Sequence, residues 1–473
     1  MRYFLLFIFL CFYSGIYSQT SVKGKRIFKH IEYLSSDALQ GRWPGTKEDS
    51  LAGQYIKAAF SKSGVAPLPE QYDQPFDVIV KLDAPPGSNF IRTHSGERLV
   101  LNKQYSIFPF SGSAKLEAPV LFADDNAIVF SAQQHTKPSW VVLWRNKSGI
   151  PATNSLSDYA LSVKAMQNGG VGVILISPDS VDSKDVLVRL RPRKDQPIAI
   201  PVIQVTRTAW ELIKEKLFPE TMVDDKNYYL SAASLSGSVN IEPQKVVAKN
   251  IVGIIPGNDA VLKNEYIVLG AHYDHLGYGG FGSGSLQPDT TAIHNGADDN
   301  ASGTAALLEI AKALQRNQKH LKRSVIVVAF GAEEEGLRGS QYFVDHLPVP
   351  QSSIKVMLNM DMVGRLNTER QLYMGGAGTF PGGVDFMKSL GEGSGLNLVV
   401  HAGGVGGSDH VSFYRKGISC IGLHTGGHPQ YHTPADDAAL INITGVEKVA
   451  RYIYRAVYGL SVREGEWGFI RQE

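Results

Sequence analysis

Six acidic and histidine residues in the second half of the chain have the types and spacing of a metal-dependent catalytic centre. They are His272, Asp299, Glu333, Glu334, Asp361 and His432. Zinc binds imidazole nitrogens and carboxylate oxygens in proteins, and one carboxylate can bridge two ions. The set therefore predicts a hydrolase site built around two metal ions.

Short apolar segments must bring these residues together. Four segments with the composition and length of β-strands precede them, namely residues 266–271, 324–330, 354–360 and 418–423. The first leads to His272 and the third to Asp361, while the loops after the other two carry Glu333 and His432. Because ligands of an open α/β sheet bind at the carboxyl ends of its strands, residues far apart in sequence can converge there.

Each candidate also has an ordinary structural explanation. Asp299 lies just before a predicted helix, where an aspartate can serve as a helix cap. The acidic triplet that begins at Glu333 could be a solvated turn, although it directly follows an apolar strand. Asp274 is close enough in sequence to orient the ring of His272. For most other histidines of this region the sequence predicts no metal role, a group that comprises His275, His294, His401, His410, His424 and His428.

Length and composition predict a large folded protein. The chain has 473 residues, of which 43% are hydrophobic, enough for two domains. Lys and Arg total 47 against 45 Asp and Glu, with no sustained run of either sign. This pattern predicts neither a nucleic-acid partner nor a polybasic membrane patch.

The amino terminus has the pattern of a secretory signal. Residues 1–18 begin with Met1 and Arg2, continue through a short apolar core and reach small residues, so we expect cleavage near Ser18. An uncleaved anchor and a lipid-modified Cys11 are the alternatives, but the core is shorter than the roughly 20 residues of a spanning helix. We expect a secreted or periplasmic protein without stable membrane insertion. Signal removal would leave Cys420 as the only cysteine, which excludes an internal disulfide.

The pattern of helix-, strand- and turn-forming residues changes along the chain. Residues 19–115, which include two amphipathic helical segments, are predicted to form the N-terminal part of the catalytic domain. Residues 116–241 consist of short strands and turns around one helix, and predict an inserted, smaller β-rich α+β domain. In residues 242–473 strands alternate with helices, which predicts an α/β fold with a mainly parallel mixed sheet flanked by helices.

Five motifs resemble those of the family-28 zinc metallopeptidases, which include secreted aminopeptidases and glutamate carboxypeptidases. They are Gly-Ala-His-Tyr-Asp at 270–274, Gly-Ala-Asp-Asp-Asn-Ala-Ser-Gly at 296–303, Ala-Glu-Glu-Glu-Gly-Leu-Arg-Gly-Ser at 332–340, Asn-Met-Asp-Met at 359–362 and Tyr-His-Thr at 431–433. All five occur in family order. The resemblance implies the zinc exopeptidase fold, and the inserted block resembles a protease-associated domain.

The resemblance also implies a role for each site residue. Asp299 would bridge two Zn²⁺ ions, with His272 and Asp361 on one ion and Glu334 and His432 on the other. Glu333 would be the general base. Apart from the resemblance, we expect Asp274 to support catalysis by orienting His272, and Tyr431 to donate a hydrogen bond to the oxyanion, with loop packing as the alternative role of this tyrosine. Asp298 would not be a ligand, and the Asp299–Asn300 peptide would be cis.

The most consistent interpretation is a secreted dizinc exopeptidase that releases N-terminal residues from a peptide substrate. A carboxypeptidase is the first alternative, and would need cations such as Arg338, Arg365 or Arg415 to bind the substrate carboxylate. A non-catalytic binding protein and a glutaminyl cyclase are the others, both disfavoured by the complete ligand set. The sequence fixes neither the side-chain preference nor the oligomeric state.

Overall fold

A computed structural model describes residues 22–122, 126, 138–145, 156–177, 185–192, 197–218, 229–280 and 283–472. The signal peptide expected over residues 1–18 lies outside this part of the chain. The protein divides into two compact units, of which the second, Ile79–Lys245, interrupts the first in sequence. Within the described residues, no helix is long and apolar enough to cross a membrane.

The described residues form sixteen strands and nine α-helices. The strands are β1 (Ala66–Pro67), β2 (Asp73–Asp83), β3 (Phe90–Thr93), β4 (Tyr105–Ile107), β5 (Ala114–Phe122), β6 (Ser139–Trp144), β7 (Gly170–Ile176), β8 (Val202–Val205), β9 (Tyr229–Val239), β10 (Glu242–Ile255), β11 (Tyr266–His272), β12 (Ser324–Phe330), β13 (Ile354–Met360), β14 (Gln371–Gly375), β15 (Asn397–Val400) and β16 (Cys420–His424). The helices are α1 (Gly24–Leu34), α2 (Lys47–Ser63), α3 (Asp158–Gln167), α4 (Arg207–Leu217), α5 (Gly303–Arg316), α6 (Arg338–Asp345), α7 (Gly383–Ser389), α8 (His410–Arg415) and α9 (Ile443–Val462).

The first unit is built on a nine-stranded mixed sheet. Its order is β1-β10-β12-β11-β13-β16-β14-β15, and β2 also pairs with β10. The four central strands, β12, β11, β13 and β16, are parallel, whereas β10 and β14 join them antiparallel. The parallel centre confirms the predicted α/β fold, and it places four strand ends at one edge.

Helices cover both faces of this sheet because its central strands are apolar on both sides. Along β12, Val325, Val327 and Ala329 face a core shared with α1, α2, α5 and α9. The alternate residues, Ile326, Val328 and Phe330, pack against Phe343 of α6 and Phe413 of α8. Side chains of a strand alternate between its faces, so one continuous apolar run fills two cores.

The second unit has a seven-stranded sheet with the order β3-β9-β5-β6-β7-β8-β4. Trp210 of α4 packs on one face and Leu161 of α3 on the other. The Trp140 ring lies against Gly172 and Gly237, where an added Cβ would come within 2.4 Å of it. These contacts give the unit a core of its own.

The second unit begins earlier in the chain than the insertion predicted from residue 116. The second unit begins at Ile79, so residues 79–115, predicted to belong to the catalytic domain, lie in the insertion. Strands β3 and β4 pair with β9 and β8 of the second sheet. These strands have only four and three residues, too few to show a period in sequence.

Candidate metal centre

The predicted site residues lie at the carboxyl edge of the central strands. His272 is the last residue of β11, and Asp361 immediately follows β13. Glu333 and Glu334 follow β12, while Asp299 lies in the turn Ala297–Ser302 that leads into α5, where its own backbone is not helical. The fold thus brings together residues that are up to 160 positions apart in sequence, from His272 to His432.

The carboxylate of Asp299 lies between two groups of donors. On one side, the Nε2 atom of His272 is 3.3 Å from Asp299 Oδ1 and 3.4 Å from Asp361 Oδ1. On the other side, the Nε2 atom of His432 is 3.1 Å from Asp299 Oδ2 and 3.3 Å from Glu334 Oε2. Each oxygen of Asp299 therefore serves a different histidine and a different carboxylate.

These spacings fit two tetrahedral zinc sites that share Asp299. Two donors bound to one zinc ion at about 2.1 Å, with tetrahedral angles, lie about 3.4 Å apart. The four separations of 3.1 to 3.4 Å match this value. Asp361 Oδ1 is buried without a hydrogen-bond partner, as expected for an atom that faces a cation.

Backbone carbonyls orient the two histidine rings. His272 Nδ1 lies 3.2 Å from the carbonyl oxygen of Asp274, and His432 Nδ1 lies 3.1 Å from that of Gly284. A donated hydrogen bond at Nδ1 leaves Nε2 free to bind a metal. Asp274 therefore orients His272 through its backbone rather than through its carboxylate, whose Oδ1 lies 3.8 Å from the ring.

The carboxylate of Asp274 instead holds the loop after β12. Its Oδ1 accepts the N–H of Glu333 at 3.0 Å and its Oδ2 accepts the N–H of Glu334 at 3.2 Å. Asp274 is fully buried, and burial raises its pKa to about 7. It is thus a support for both glutamates.

Two buried residues that the sequence did not single out also contact the site. Asp436 Oδ2 accepts the backbone N–H groups of Asp298 and Asp299, each at 3.0 Å. The Nδ1 atom of His275, a residue predicted to have no metal role, lies 2.7 Å from Glu334 Oε1 and 4.0 Å from Asp299 Oδ2. His275, Asp299 and Glu334 could together hold a cation.

The sequence neighbours of Asp299, Asp298 and Asn300, make contacts of their own. Asp298 Oδ1 accepts the N–H of Gly364 at 2.7 Å, and its Oδ2 lies 3.2 Å from the Nε2 atom of His428. The Asp299–Asn300 peptide is cis, as the resemblance implied. The Asn300 side chain donates to the carbonyl of Met360 at 2.9 Å, which links this turn to β13.

Residues 250–457 match the model of peptidase family M28. This part of the chain belongs to peptidase family M28. Aminopeptidase YwaD of Bacillus subtilis (strain 168) is 25% identical over 361 residues, which cover 74% of this chain and 69% of YwaD. Leupeptin-inactivating enzyme 1 of Streptomyces exfoliatus is 28% identical over 232 residues, 45% of this chain and 48% of the relative.

Solved structures share the fold of the whole chain. The aminopeptidase from Aneurinibacillus sp. strain AM-1 has a TM-score of 0.60 at 22% identity, covering 97% of this chain and 98% of that one. The zinc aminopeptidase BSAP from Bacillus subtilis has a TM-score of 0.56 at 21% identity, with 93% and 96% covered. At this level of identity the match concerns the fold alone.

The carboxylates of the site favour positively charged groups beside them, either protonated histidines or bound cations. Burial by itself would lower the pKa of His272, but the carboxylates of Asp361 and Glu333 outweigh it and raise that pKa well above its usual value. In the same way, Glu334 raises the pKa of His432 to about 11 against the effect of burial. Burial raises the pKa of Glu333 well above its usual value, and Glu334 adds to this although His272 opposes it. Divalent cations would balance such a cluster of carboxylates.

A cavity of about 360 Å³ opens beside the donors. Glycines form much of its wall, including Gly375, Gly404 and Gly422. Tyr431 lines it, with its ring stacked 3.8 Å from that of His432, and burial raises the pKa of this tyrosine. Tyr431 therefore keeps its proton at neutral pH and can donate a hydrogen bond into the cavity.

Proposed function

We propose that the protein is a dizinc exopeptidase that removes N-terminal residues from peptides. One observation carries the proposal: the carboxylate of Asp299 lies between two donor pairs at zinc-compatible spacing, with Glu333 beside the cavity. In this proposal His272 and Asp361 hold one ion, and Glu334 and His432 hold the other. His275 is close enough to Glu334 to hold that carboxylate in place.

The residues of the site divide the work of hydrolysis. Two zinc ions held here would supply Lewis acidity that polarises the scissile carbonyl and makes water more acidic. Glu333 accepts the proton of the attacking water and passes it to the leaving amine. Tyr431 donates a hydrogen bond to the carbonyl oxygen as negative charge develops there.

The charges near the cavity support cleavage at the amino end. Among the described residues that line it there is neither Arg nor Lys, whereas a substrate carboxylate would require such a cation. Arg365 donates to the side chain of Gln430, and Arg415 is exposed at the end of α8. Arg338 donates to the carbonyl of Glu335. Asp361 and Glu333 line the cavity and could bind a free α-amine. The names of YwaD and related aminopeptidases support the same assignment.

One peptide series tests the proposal. A short peptide, its N-acetylated form and its C-amidated form are incubated with protein of known zinc content. We expect about two zinc ions per chain, loss of activity in chelator, cleavage of the free and amidated peptides, and none of the acetylated peptide. Cleavage of the free and acetylated peptides but not of the amidated peptide would identify a carboxypeptidase. Cyclisation of an N-terminal glutamine would identify a glutaminyl cyclase, and no turnover with both metals bound would indicate a binding protein.

We propose the same secreted or periplasmic location that the first 18 residues predict, and that the second unit is a protease-associated domain. The described residues of this unit provide none of the donors around Asp299, and their sheet has a core of its own. The unit would then restrict which substrates are cut without taking part in the chemistry. Replacement of the unit by a short Gly/Ser linker should leave zinc content unchanged and broaden the range of peptides cleaved.

A further inference from the structure

A fully buried arginine lies in the turn between α1 and α2, far in sequence from every candidate ligand. The guanidinium group of Arg42 donates only to backbone carbonyls. Its Nε donates to Tyr273 at 2.6 Å, its Nη1 to Asn295 at 2.7 Å and to Leu34, and its Nη2 to Gly296 at 3.1 Å. Arg42 thus binds three separate segments of the first unit with one side chain.

Two of these segments carry donors of the metal centre. Tyr273 lies between His272, a proposed ligand, and Asp274, whose backbone orients the His272 ring. Gly296 begins the turn that ends at Asp299, the carboxylate shared by the two donor groups. The guanidinium group therefore fixes the distance between the end of β11 and the turn before α5, which is the distance that the His272–Asp299 pair requires.

The backbone around Arg42 makes close contacts with the loop after β11 and with the segment before α5. The N–H of Gly277 donates to the carbonyl of Gly41 at 3.2 Å. A Cβ atom on Gly41, whose φ is +71°, would lie 2.5 Å from the carbonyl oxygen of His294 and 2.6 Å from that of Gly277. Arg42 itself has a φ of +51°, a conformation that non-glycine residues rarely adopt. This local strain is retained where the arginine reaches all four carbonyls.

The Arg42 side chain also places a positive charge near the carboxylates of the site. Burial lowers the pKa of Arg42 to about 10, while Asp274, Asp299 and Asp436 oppose that shift. Arg42 is therefore charged at neutral pH although no carboxylate makes a direct hydrogen bond with it in the described residues. Its charge would balance the carboxylates, but it would also repel a bound cation.

We propose that Arg42 is a positioning residue of the metal centre, holding the loop of His272 and the turn of Asp299 at the separation that cation binding requires. The inference rests on the proposed metal-dependent function, because it concerns the same donors. It adds a residue from outside the five motifs. The proposal also assigns the planar guanidinium group with its several N–H donors, rather than its charge, as the property that matters.

The two properties of Arg42 predict opposite effects on zinc affinity, which makes a direct test possible. Arg42→Lys keeps the charge but cannot reach four carbonyls, and Arg42→Met removes both charge and hydrogen bonds at similar length. Arg323 provides a matched control. It is also buried and donates to the backbone carbonyl of Arg463 at 2.6 Å, but it precedes β12, at the opposite end of the strand from the donors.

Zinc affinity is measured by competition with a chromophoric chelator, and the stability of the zinc-free protein by urea unfolding. We expect both Arg42 variants to bind zinc about 10- to 100-fold more weakly, the usual effect of losing a residue that supports a ligand. Arg323→Met should lose stability but keep the affinity of the unaltered protein. Unaltered zinc affinity in both Arg42 variants would overturn the proposal, as would tighter binding in Arg42→Met alone, which would identify a purely electrostatic effect.

A folding defect would not leave the question open. If an Arg42 variant folds only with zinc, the zinc concentration at the midpoint of folding replaces the affinity, and it should exceed that of Arg323→Met. If neither Arg42 variant folds at any zinc concentration, Arg42 serves the fold and the positioning role is rejected. Failure of the unaltered protein to bind zinc would instead refute the proposed function, and it is measured separately.

Discussion

Asp436 offers the sharpest test of how the protein holds Asp299, the carboxylate proposed to bridge the two ions. Its Oδ2 accepts the backbone N–H groups of Asp298 and Asp299, and its own carbonyl accepts that of Ala297. Asp436→Ala would leave two buried N–H groups without partners. At about 1 to 3 kcal/mol for each unsatisfied donor, the free energy of unfolding should fall by about 2 to 6 kcal/mol. Zinc affinity should fall as well, because the turn that carries Asp299 loses its support.

Two further variants separate these effects. Asp436→Asn keeps an oxygen that can accept both N–H groups, so its loss of stability should be smaller than that of the alanine variant. Asp437→Ala is the control. Among the described residues, the Asp437 carboxylate accepts only the side-chain amide of Asn295, at 3.1 Å. Urea unfolding of the zinc-free proteins gives the stabilities. Equal losses in Asp436→Ala and Asp437→Ala would refute the assigned role of the two backbone hydrogen bonds.

Three other perturbations have defined outcomes. Glu333→Gln should keep its zinc and lower kcat by about 10²- to 10⁴-fold, whereas Glu334→Gln should weaken zinc binding; the reverse pattern in kinetics and metal analysis would exchange their roles. Asp299→Ala should lose both ions, so two retained ions would exclude a bridge. Burial raises the pKa of Asp49 to about 6, so its stabilising contribution, complete below the unfolded pKa of about 3.8, is lost as pH rises through 6. The free energy of unfolding of Asp49→Asn should therefore rise by about 2 kcal/mol relative to that of the unaltered protein between pH 4 and pH 7 in urea unfolding, and an equal difference at both pH values would contradict this.

Apolar periodicity predicted the elements that carry the site. The segments predicted as strands at 324–330 and 354–360 are the observed β12 and β13, and the two helical segments predicted within residues 19–115 are α1 and α2. Buried strands are readable because nearly every residue in them must be apolar. Since parallel strands end at one edge, the positions just after them could be predicted to converge without knowledge of strand order.

The start of the second unit could not be read in the same way. Its first strands, β3 and β4, are too short for a pattern, and what assigns them to that unit is their pairing with β9 and β8. Strand pairing depends on backbone groups that every residue has. The pattern of short apolar strands and turns becomes visible in the sequence only at β5, so the predicted boundary lies at residue 116 whereas the compact unit begins at Ile79.

The same argument explains why the candidate ligands could be predicted from the sequence whereas Asp436 and Arg42 could not. A metal ligand must be His, Asp, Glu or Cys, so its residue type marks it in sequence. The groups that hold the ligands here are backbone N–H and carbonyl groups, as with Asp436 at the Asp299 turn and Arg42 at Tyr273. Only one partner in each of these hydrogen bonds has a distinctive side chain, and that partner lies more than 130 positions away. A lone aspartate or arginine at such a distance looks like a surface residue until the fold shows that it is buried. Residues of this kind set the geometry of the metal centre. Substituting them should therefore affect zinc binding although they lie outside the five motifs.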